Sequence, residues 1–372
     1  MSGNALSPAR AMGAYQWDRP MREEHEDIID LSLDSLLEST SSSVRASTIA
    51  RLMKHEADHY VRRAGLKPLC EAVARKLAVR GVNVDPEDEV VIAGSVQEAR
   101  FVAVRELAAE AAIGIPTPWL RDHYAPLAHI ARATLKAFDP SVPLSSLQAE
   151  EIKVLLVPNP NPATGQAYGR ETLQRLAAWA RLSDLIVIAD ESAAPLLRPE
   201  VGFTSIASFP DVQDRTLTLG GFAQVPGLAA WGAAWLAGPS SLAVRVRKLK
   251  QALTICSPAP SQFAALAGMT DEGQGTQHQG RVTSVVDLLE RHNIPYAAPD
   301  TVAYVVADVG ALGGGETVAA ACLSRGVRIL DGARFGRPQQ IRITVGSPRF
   351  EEALSRLERS LQDLEKGGAS GD

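Results

Sequence analysis

The 372-residue sequence predicts an α/β protein, with a large domain whose mostly parallel sheet is flanked by helices, and a small α+β lobe. Short apolar runs of strand length alternate with stretches of helical periodicity between residues 89 and 189. This alternation is typical of βαβ units with parallel strands. After residue 280 the pattern changes, and the order of helical and extended segments indicates the smaller lobe.

The large domain is predicted because short apolar runs of strand length alternate with longer segments of helical periodicity. Its elements are the strand Glu89–Ile92, a helix through Leu107, the strand Lys153–Val157, the helix Gly169–Leu182 and the strand Leu185–Ala189. In the first helix the side chains of one face are apolar, namely Val96, Ala99, Ala103 and Leu107. The last strand brings Asp190 and Glu191 to a carboxyl-terminal strand edge, where open α/β sheets bind ligands.

The small lobe is predicted from the second half of the chain together with its beginning. The predicted elements are helices at Val282–Leu289, Thr317–Arg325 and Phe350–Leu364 and extended segments at Val302–Asp308 and Gln340–Val345. A polar stretch, residues 270–280, predicts a linking loop. We therefore expect a flexible arm at 1–27, the large domain at 48–270, the small domain at 28–47 and 281–365, and a disordered tail at 366–372.

Composition and charge exclude several classes of function. The net charge of -5 gives no basic surface of the kind that binds nucleic acid. No apolar run approaches the ~20 residues that cross a bilayer, and the polar start of the chain is unlike a secretory signal. Three widely spaced cysteines (Cys70, Cys256 and Cys322) indicate reduced thiols. We expect a cytoplasmic protein that binds neither nucleic acid nor membranes.

Two segments carry a family resemblance. Arg215–Gly238 reads RTLTLGGFAQVPGLAAWGAAWLAG, and Tyr60–Ala72 reads YVRRAGLKPLCEA. The first resembles the segment of class I/II aminotransferases, pyridoxal-phosphate enzymes of fold type I, that runs Ser-Phe-Ser-Lys, a Gly-Leu pair, then an arginine and a glycine. The second is similar to Tyr-x-x-x-x-Gly-Leu-x-x-Leu-Arg-x-Ala, with Cys70 in the arginine's place. The resemblance covers most of Ile28–Leu364 and implies a fold-type-I aminotransferase architecture.

The resemblance also implies roles for four residues. Tyr60 matches a tyrosine that reaches across a dimer to the neighbour's cofactor phosphate, so we expect a homodimer. Trp119 matches the aromatic side chain that stacks on the pyridine ring, and Asp190 the aspartate that pairs with the ring nitrogen. Arg342, in QQIRITVG, matches the arginine that binds the substrate carboxylate through a bidentate pair.

Several residues depart from the pattern of the family. Gln224 stands at the position of the lysine whose amine forms a Schiff base with the cofactor, and a carboxamide has no nucleophilic amine. Gly221 and Ala223 stand where the family has serines, Gly232 where it has the phosphate-binding arginine, Ala193 where it has a tyrosine, Pro162 where it has the ring-contacting asparagine, and Asp34 where it has a glycine. Residues 154–247 contain no lysine at all, so no nearby amine replaces the missing one.

These departures predict that the pocket binds a different ligand from the one the family binds. The leading hypothesis is that the pocket binds a carboxylate-bearing small molecule without Schiff-base pyridoxal phosphate, with no cofactor and no conventional transaminase activity. Either a cofactor-independent reaction or binding alone is compatible with such a pocket. The candidate ligand-binding residues are Asp34, Tyr60, Trp119, Asn161, Asp190, Gln224 and Arg342, and no residue is assigned a catalytic role. Two alternatives stay open, which are a non-catalytic partner subunit of an active aminotransferase and an aminotransferase that uses pyridoxal phosphate noncovalently.

A separate motif, His55-Glu56-Ala57-Asp58-His59, has the H-E-x-x-H spacing of zinc metallopeptidases. Two histidines at i and i+4 on a helix can share a metal ion. The pattern fixes only three positions and no third ligand follows nearby, so a solvated helix face is the preferred interpretation. We expect no metal site.

Overall fold

The structure is a computed structural model that describes residues 27–32, 39–117, 120–141, 152–222, 227–269 and 276–368. Its largest element is a seven-stranded sheet with the strand order β2-β8-β7-β6-β5-β3-β4. The strands are β2 (Val90–Ala93), β3 (Ala112–Ile115), β4 (Thr134–Ala137), β5 (Ile152–Pro158), β6 (Ile186–Asp190), β7 (Thr216–Gly221) and β8 (Ala234–Ala237). β8 runs antiparallel to both of its neighbours, and the other pairs are parallel.

The sheet is buried on both faces because its strands carry apolar side chains at consecutive positions, as parallel sheets covered by helices do. Leu156 and Ile188 belong to the core on one face, which includes the apolar side of the helix Val96–Leu107. Leu155 and Val187 belong to the core on the other face, which includes the helix Arg170–Leu182. Alternation along β5 and β6 therefore supplies both helix layers.

Ten α-helices pack against this sheet or lie in the rest of the described chain. They span Ser42–Met53, Lys67–Ala78, Val96–Leu107, Arg121–Ala131, Arg170–Leu182, Ser240–Thr254, Ala259–Gly268, Thr276–Arg291, Gly315–Ser324 and Phe350–Gly368. None of the helices in the described part of the chain combines the length and the apolar character that crossing a bilayer requires.

A second core lies among two smaller sheets. β11 (Leu330–Asp331), β12 (Gln340–Thr344) and β9 (Tyr304–Asp308) form an antiparallel sheet, and β1 (Ile29–Asp30) pairs in parallel with β10 (Val327–Arg328). Apolar residues of these strands pack with the last helices of the chain, and we call this second core the small core. The first strand thus joins a core formed mainly by residues beyond 280.

The predicted α/β class and the helix-flanked, mainly parallel sheet are confirmed. Two details differ from the sequence-based expectations. The stretch predicted as a polar loop is helical from Thr276, because that helix begins six residues before Val282, the first of its residues in the small core. The final helix runs to Gly368, so residues 366–368 are helical rather than part of the predicted tail.

Candidate functional site

Three parallel strands end side by side and define the edge at which the candidate site lies. Pro158 of β5 is in register with Asp190 of β6, and Asp190 is in register with Leu219 of β7. The backbone N–H of Asn159 donates to the Asp190 carbonyl at 2.9 Å. The segments that leave these strands therefore begin at one edge, where polar side chains can meet a ligand.

Asp190 is a buried carboxylate with donors on both of its oxygens. Its residue is only 3% exposed. Oδ2 accepts from Arg100 Nε at 2.7 Å and from the Tyr124 hydroxyl at 2.8 Å. Oδ1 accepts from the Ser192 hydroxyl at 2.6 Å and from the Ser192 backbone N–H at 3.1 Å.

The electrostatics of Asp190 follow from these contacts. Burial by itself would raise the pKa of Asp190, but the Arg100 charge and the hydrogen bonds from Ser192, Arg100 and Tyr124 together lower it below its usual value. Asp190 is therefore an anion at neutral pH, and its negative charge is balanced mainly by Arg100.

The turn after β5 connects Asp190 to the small core. Asn161 is buried, its Oδ1 accepts from the Ala163 N–H at 2.9 Å, and its Nδ2 lies 3.4 Å from the Thr117 hydroxyl. The carbonyl of Pro162, the next residue, accepts from Arg342 Nη1 at 3.2 Å. The structure thus brings Asn161, Asp190 and Arg342 to one region.

Arg342, which lies on β12, is held between two aromatic rings from other segments. Its guanidinium carbon lies 4.8 Å from the Tyr304 ring centroid and 5.2 Å from that of Phe335. The residue is 3% exposed, whereas its strand neighbours Ile341 and Ile343 face the small core. Strand alternation therefore turns Arg342 toward the Pro162 turn, and the flanking rings fix its orientation.

The amino terminus of the helix Val96–Leu107 reaches the same edge, since Arg100 in its second turn contacts Asp190. Ser95 caps this helix by accepting from the Glu98 N–H at 3.0 Å, and the Glu98 carboxylate accepts from the Gly94 N–H. A Cβ atom at Gly232 would lie 2.9 Å from the Gly94 carbonyl oxygen. The position at which the resemblance expects a phosphate-binding arginine thus adjoins this helix terminus.

A buried lysine lies next to the same helix. Lys250 is 1% exposed, and its Nζ donates to the Thr254 hydroxyl at 3.2 Å, which in turn donates to Glu98 at 3.0 Å. Burial lowers the pKa of Lys250, and the nearby Glu98 carboxylate opposes this effect.

Glu191 follows Asp190 but points to a different set of partners. It accepts from the Ser205 hydroxyl, and Arg80 Nη1 lies 3.4 Å from its Oε2. Burial raises the pKa of Glu191 to about 7, although Ser205 and Arg80 act against this rise. The two consecutive carboxyl groups therefore have opposite pKa shifts, because the cationic partner of Asp190 lies at 2.7 Å and that of Glu191 at 3.4 Å.

Of the remaining predicted site residues, the structure describes only Tyr60, which lies outside this cluster. Tyr60 is 83% exposed and borders an open groove of about 710 Å³ that is also lined by Cys256 and Ser257. Asp34, Trp119 and Gln224 lie outside the described residues.

The H-E-x-x-H motif does not form a helical metal site. The helix ends at Met53, and His55 has a positive φ of 61°. His55 Nδ1 lies 2.8 Å from Asp58, and Glu56 pairs with Arg51 at 2.9 Å. The predicted helix face is therefore wrong at this motif, and no metal-binding group of side chains occurs among the described residues.

Sequence reasoning did not find Arg100, Tyr124 or Ser192 as site residues. The only available signal was the position of Arg100, one turn after Val96 and thus beside the apolar helix face. Its partner is 90 positions away in the chain, and no local pattern identifies such a pair.

Comparisons with known proteins give a consistent result. A family model described as aminotransferase class I and II matches residues 26–357. The chain is 28% identical to the putative aminotransferase YugH of Bacillus subtilis, over 90% of this chain and 92% of that protein. It is 26% identical to an aspartate aminotransferase of Thermotoga maritima, over 90% of this chain and 91% of that protein.

Solved structures support the same fold. An aromatic aminotransferase from Pyrococcus horikoshii superposes with a TM-score of 0.82 at 23% sequence identity, covering 92% of this chain and 97% of that chain.

The prediction that the chain uses no cofactor is wrong. The match to the aminotransferase model over residues 26–357 and the aminotransferases among its relatives point to pyridoxal phosphate, the cofactor that the resemblance implied. The chemical character of the described residues is compatible with this cofactor. They provide a buried, ionised carboxylate for the ring at Asp190 and a helix amino terminus, preceded by Gly94 and Ser95, for the phosphate.

Proposed function

Because this chain belongs to the class I and II aminotransferase family, we propose that it binds pyridoxal phosphate and a carboxylate-bearing ligand without a covalent lysine link. The observation that carries the proposal is the arrangement of Asp190, Asn161 and Arg342 at one sheet edge. Two buried groups of opposite charge, Asp190 and Arg342, are joined there by the Asn159–Gly165 turn.

Arg342 is the residue we assign to the ligand carboxylate. A guanidinium forms two parallel hydrogen bonds with a carboxylate, and burial strengthens such a pair. The rings of Tyr304 and Phe335 keep the guanidinium in place, so less side-chain freedom is lost when the ligand binds. The Pro162 carbonyl further orients the group through Nη1.

Asp190 and the helix Val96–Leu107 are the elements we assign to the cofactor. Bound pyridoxal phosphate supplies an electron sink for a carbanion formed next to its ring. Asp190 would lie beside the ring edge, and the backbone N–H groups at the start of the helix would favour the phosphate because the helix dipole is positive there.

The absence of a covalent link is proposed from the sequence. Gln224 stands at the family lysine position, and residues 154–247 contain no lysine. Lys250 is the buried lysine of the described residues, and its Nζ is directed to Thr254 at 3.2 Å. The cofactor is then retained by noncovalent contacts alone and dissociates more readily than a covalently anchored one.

We also propose a homodimer. Six of the ten exposed large apolar side chains of the described residues lie in residues 49–60 and 253–255, next to the groove that Tyr60 borders. They are Ile49, Leu52, Met53, Tyr60, Leu253 and Ile255. A second copy of the chain would cover these residues, as the resemblance at Tyr60 implies.

Binding and covalent trapping test the proposal. Equilibrium dialysis should show saturable pyridoxal phosphate binding, and borohydride treatment followed by intact mass measurement should find no phosphopyridoxyl adduct. The variant Gln224→Lys should gain a borohydride-stable adduct on the new lysine. An adduct on Lys250 or any other side chain of the unaltered protein would refute the noncovalent proposal, and absence of binding would refute the cofactor assignment.

Calorimetric titration with maleate in the presence of pyridoxal phosphate tests the carboxylate site. Arg342→Gln should weaken maleate binding by about tenfold to a hundredfold, because a charge-assisted pair contributes roughly 1.5–3 kcal/mol. The matched control is Arg359→Gln at an exposed arginine of the last helix. Equal affinities for both variants would refute the role of Arg342.

A further inference from the structure

The Asp190 carboxylate already accepts four hydrogen bonds from the protein. Two reach Oδ2, from Arg100 and Tyr124, and two reach Oδ1, both from Ser192. Because a carboxylate offers about four lone-pair positions, a protonated ring nitrogen would be a fifth donor. A pyridinium can therefore reach Asp190 only by displacing one of these groups.

Arg100 is the donor whose presence changes the charge of the site. Its Nε contacts Asp190 at 2.7 Å, its Nη2 contacts the Ser192 hydroxyl at 3.2 Å, and its guanidinium carbon lies 5.6 Å from the Tyr124 ring centroid. The side chain is 13% exposed, so this ion pair is poorly screened by water. Three separate contacts thus hold Arg100 in place.

The Arg100 cation changes how strongly the Asp190 carboxylate stabilises a protonated ring nitrogen. An unpaired buried carboxylate stabilises a pyridinium because the two charges attract. When Arg100 neutralises Asp190, a pyridinium gains little from the pair and is repelled by the guanidinium, whereas a neutral pyridine nitrogen is not. The ion pair therefore favours the unprotonated ring.

We propose that Arg100 is a positioning residue that occupies Asp190, so that pyridoxal phosphate bound at this edge keeps its ring nitrogen unprotonated. This inference rests on the proposed binding of pyridoxal phosphate. An unprotonated ring withdraws electrons less strongly than a pyridinium, so Arg100 limits the electron sink that the cofactor supplies.

Nitrogen NMR of bound pyridoxal phosphate labelled with ¹⁵N in the ring tests the inference directly. The pyridinium nitrogen resonates far upfield of the neutral pyridine nitrogen. The unaltered protein should give the neutral position throughout pH 6–8, and Arg100→Met should move the signal to the pyridinium position. Tyr124→Phe removes one neutral donor but leaves Arg100, so this control should keep the neutral position.

The NMR and dialysis results together show whether the role of Arg100, the cofactor binding or both are refuted. A pyridinium signal in the unaltered protein, or a neutral signal in bound Arg100→Met, overturns the role of Arg100 while leaving cofactor binding intact. If dialysis finds pyridoxal phosphate bound by Arg100→Met alone, the occupied Asp190 is supported and the proposed cofactor binding of the unaltered protein is refuted. Absence of binding by both proteins overturns both proposals. If Arg100→Met does not fold, Arg100→Gln, which keeps a donor without the charge, should give the same pyridinium shift.

Discussion

Arg80 Nη1 lies 3.4 Å from Glu191 Oε2, and the Arg80 guanidinium carbon lies 4.6 Å from the Phe203 ring centroid. The separation of Arg80 and Glu191 exceeds that of a close charge-assisted bond, and it does not compensate for the burial of the carboxyl group. Glu191 therefore takes up a proton near pH 7, which makes the stability of the fold depend on pH.

The first prediction concerns this pH dependence. The folded-state pKa of Glu191 is raised from 4.5 to about 7, so the folded protein binds more protons than the unfolded chain in that interval. Stability associated with Glu191 is fully present below about pH 4.5 and is lost as the pH rises through about 7. Between pH 5 and pH 8 the unaltered protein should lose roughly 2–3 kcal/mol of unfolding free energy through Glu191, and Glu191→Gln should abolish this loss.

Urea denaturation at several pH values measures this effect. Glu351→Gln, at an exposed glutamate of the last helix, provides the control and should leave the pH dependence unchanged. An identical pH dependence for Glu191→Gln and the unaltered protein would contradict the prediction.

The second prediction concerns the contact between β7 and β8. Gly220 is in register with Trp235, and a Cβ atom at Gly220 would lie 2.1 Å from Cζ2 of that ring. Gly220→Ala should lower the unfolding free energy by about 1–3 kcal/mol, because the buried ring has to move. Gly169→Ala is the control, since its Cβ would meet nothing within 4 Å. Equal stabilities of the two variants in thermal and urea unfolding would show that the ring moves without cost.

The third prediction concerns Gly232, the position at which the resemblance expects a phosphate-binding arginine. Gly232 has a φ of +63°, and its Cβ would lie 2.9 Å from the Gly94 carbonyl oxygen. Gly232→Ala should therefore destabilise the protein by about 2–4 kcal/mol, the sum of the left-handed backbone cost and the close contact. Gly336→Ala isolates the backbone cost, because Gly336 has a φ of +70° with nothing within 4 Å.

Urea midpoints of the two variants provide the comparison. Gly232→Ala should be the less stable of the two, and the reverse order would show that the Gly94 segment adapts freely. The expected order also implies that an arginine at 232 requires a shift of the Gly94 backbone.

The fourth prediction tests the proposed dimer. Met53 is 75% exposed and lies at the end of the helix Ser42–Met53, close to the residues that line the Tyr60 groove. Met53→Asp should shift sedimentation from dimer to monomer, because it places a charge within an apolar interface. Leu182→Asp, at another exposed apolar residue, should leave the dimer intact. A dimer that survives Met53→Asp together with Ile49→Asp would refute the proposed surface.

Periodicity predicted the elements in which the apolar positions of the sequence are the buried positions of the structure. Gln340–Val345 was predicted as extended, so its side chains alternate in direction. The structure accordingly has Ile341 and Ile343 in the small core and Arg342 against Tyr304. The helices at residues 96–107 and 170–182 were likewise predicted, since a helix pattern needs only one apolar stripe.

The contacts of Asp190 could not be predicted in the same way. The sequence placed Asp190 at a strand end, but its partners Arg100 and Tyr124 come from two other helices. An arginine beside an apolar helix face turns either to solvent or inward, and the choice depends on packing between distant segments. The H-E-x-x-H motif failed for the opposite reason, because its residues lie just beyond the helix end, which periodicity does not locate.

The pairing of β1 with β10 has a consequence for synthesis of the chain on the ribosome. The backbone N–H groups of Ile29 and Leu31 donate to Gly326 and Arg328 at 2.8 Å and 2.7 Å, and Asp30 pairs with Arg328 across 298 positions. At a translation rate of about 5–20 residues per second, β1 emerges roughly 15–60 s before its partner strand exists. The newly made amino-terminal segment must therefore wait, unpaired with β10, until synthesis has passed Arg328.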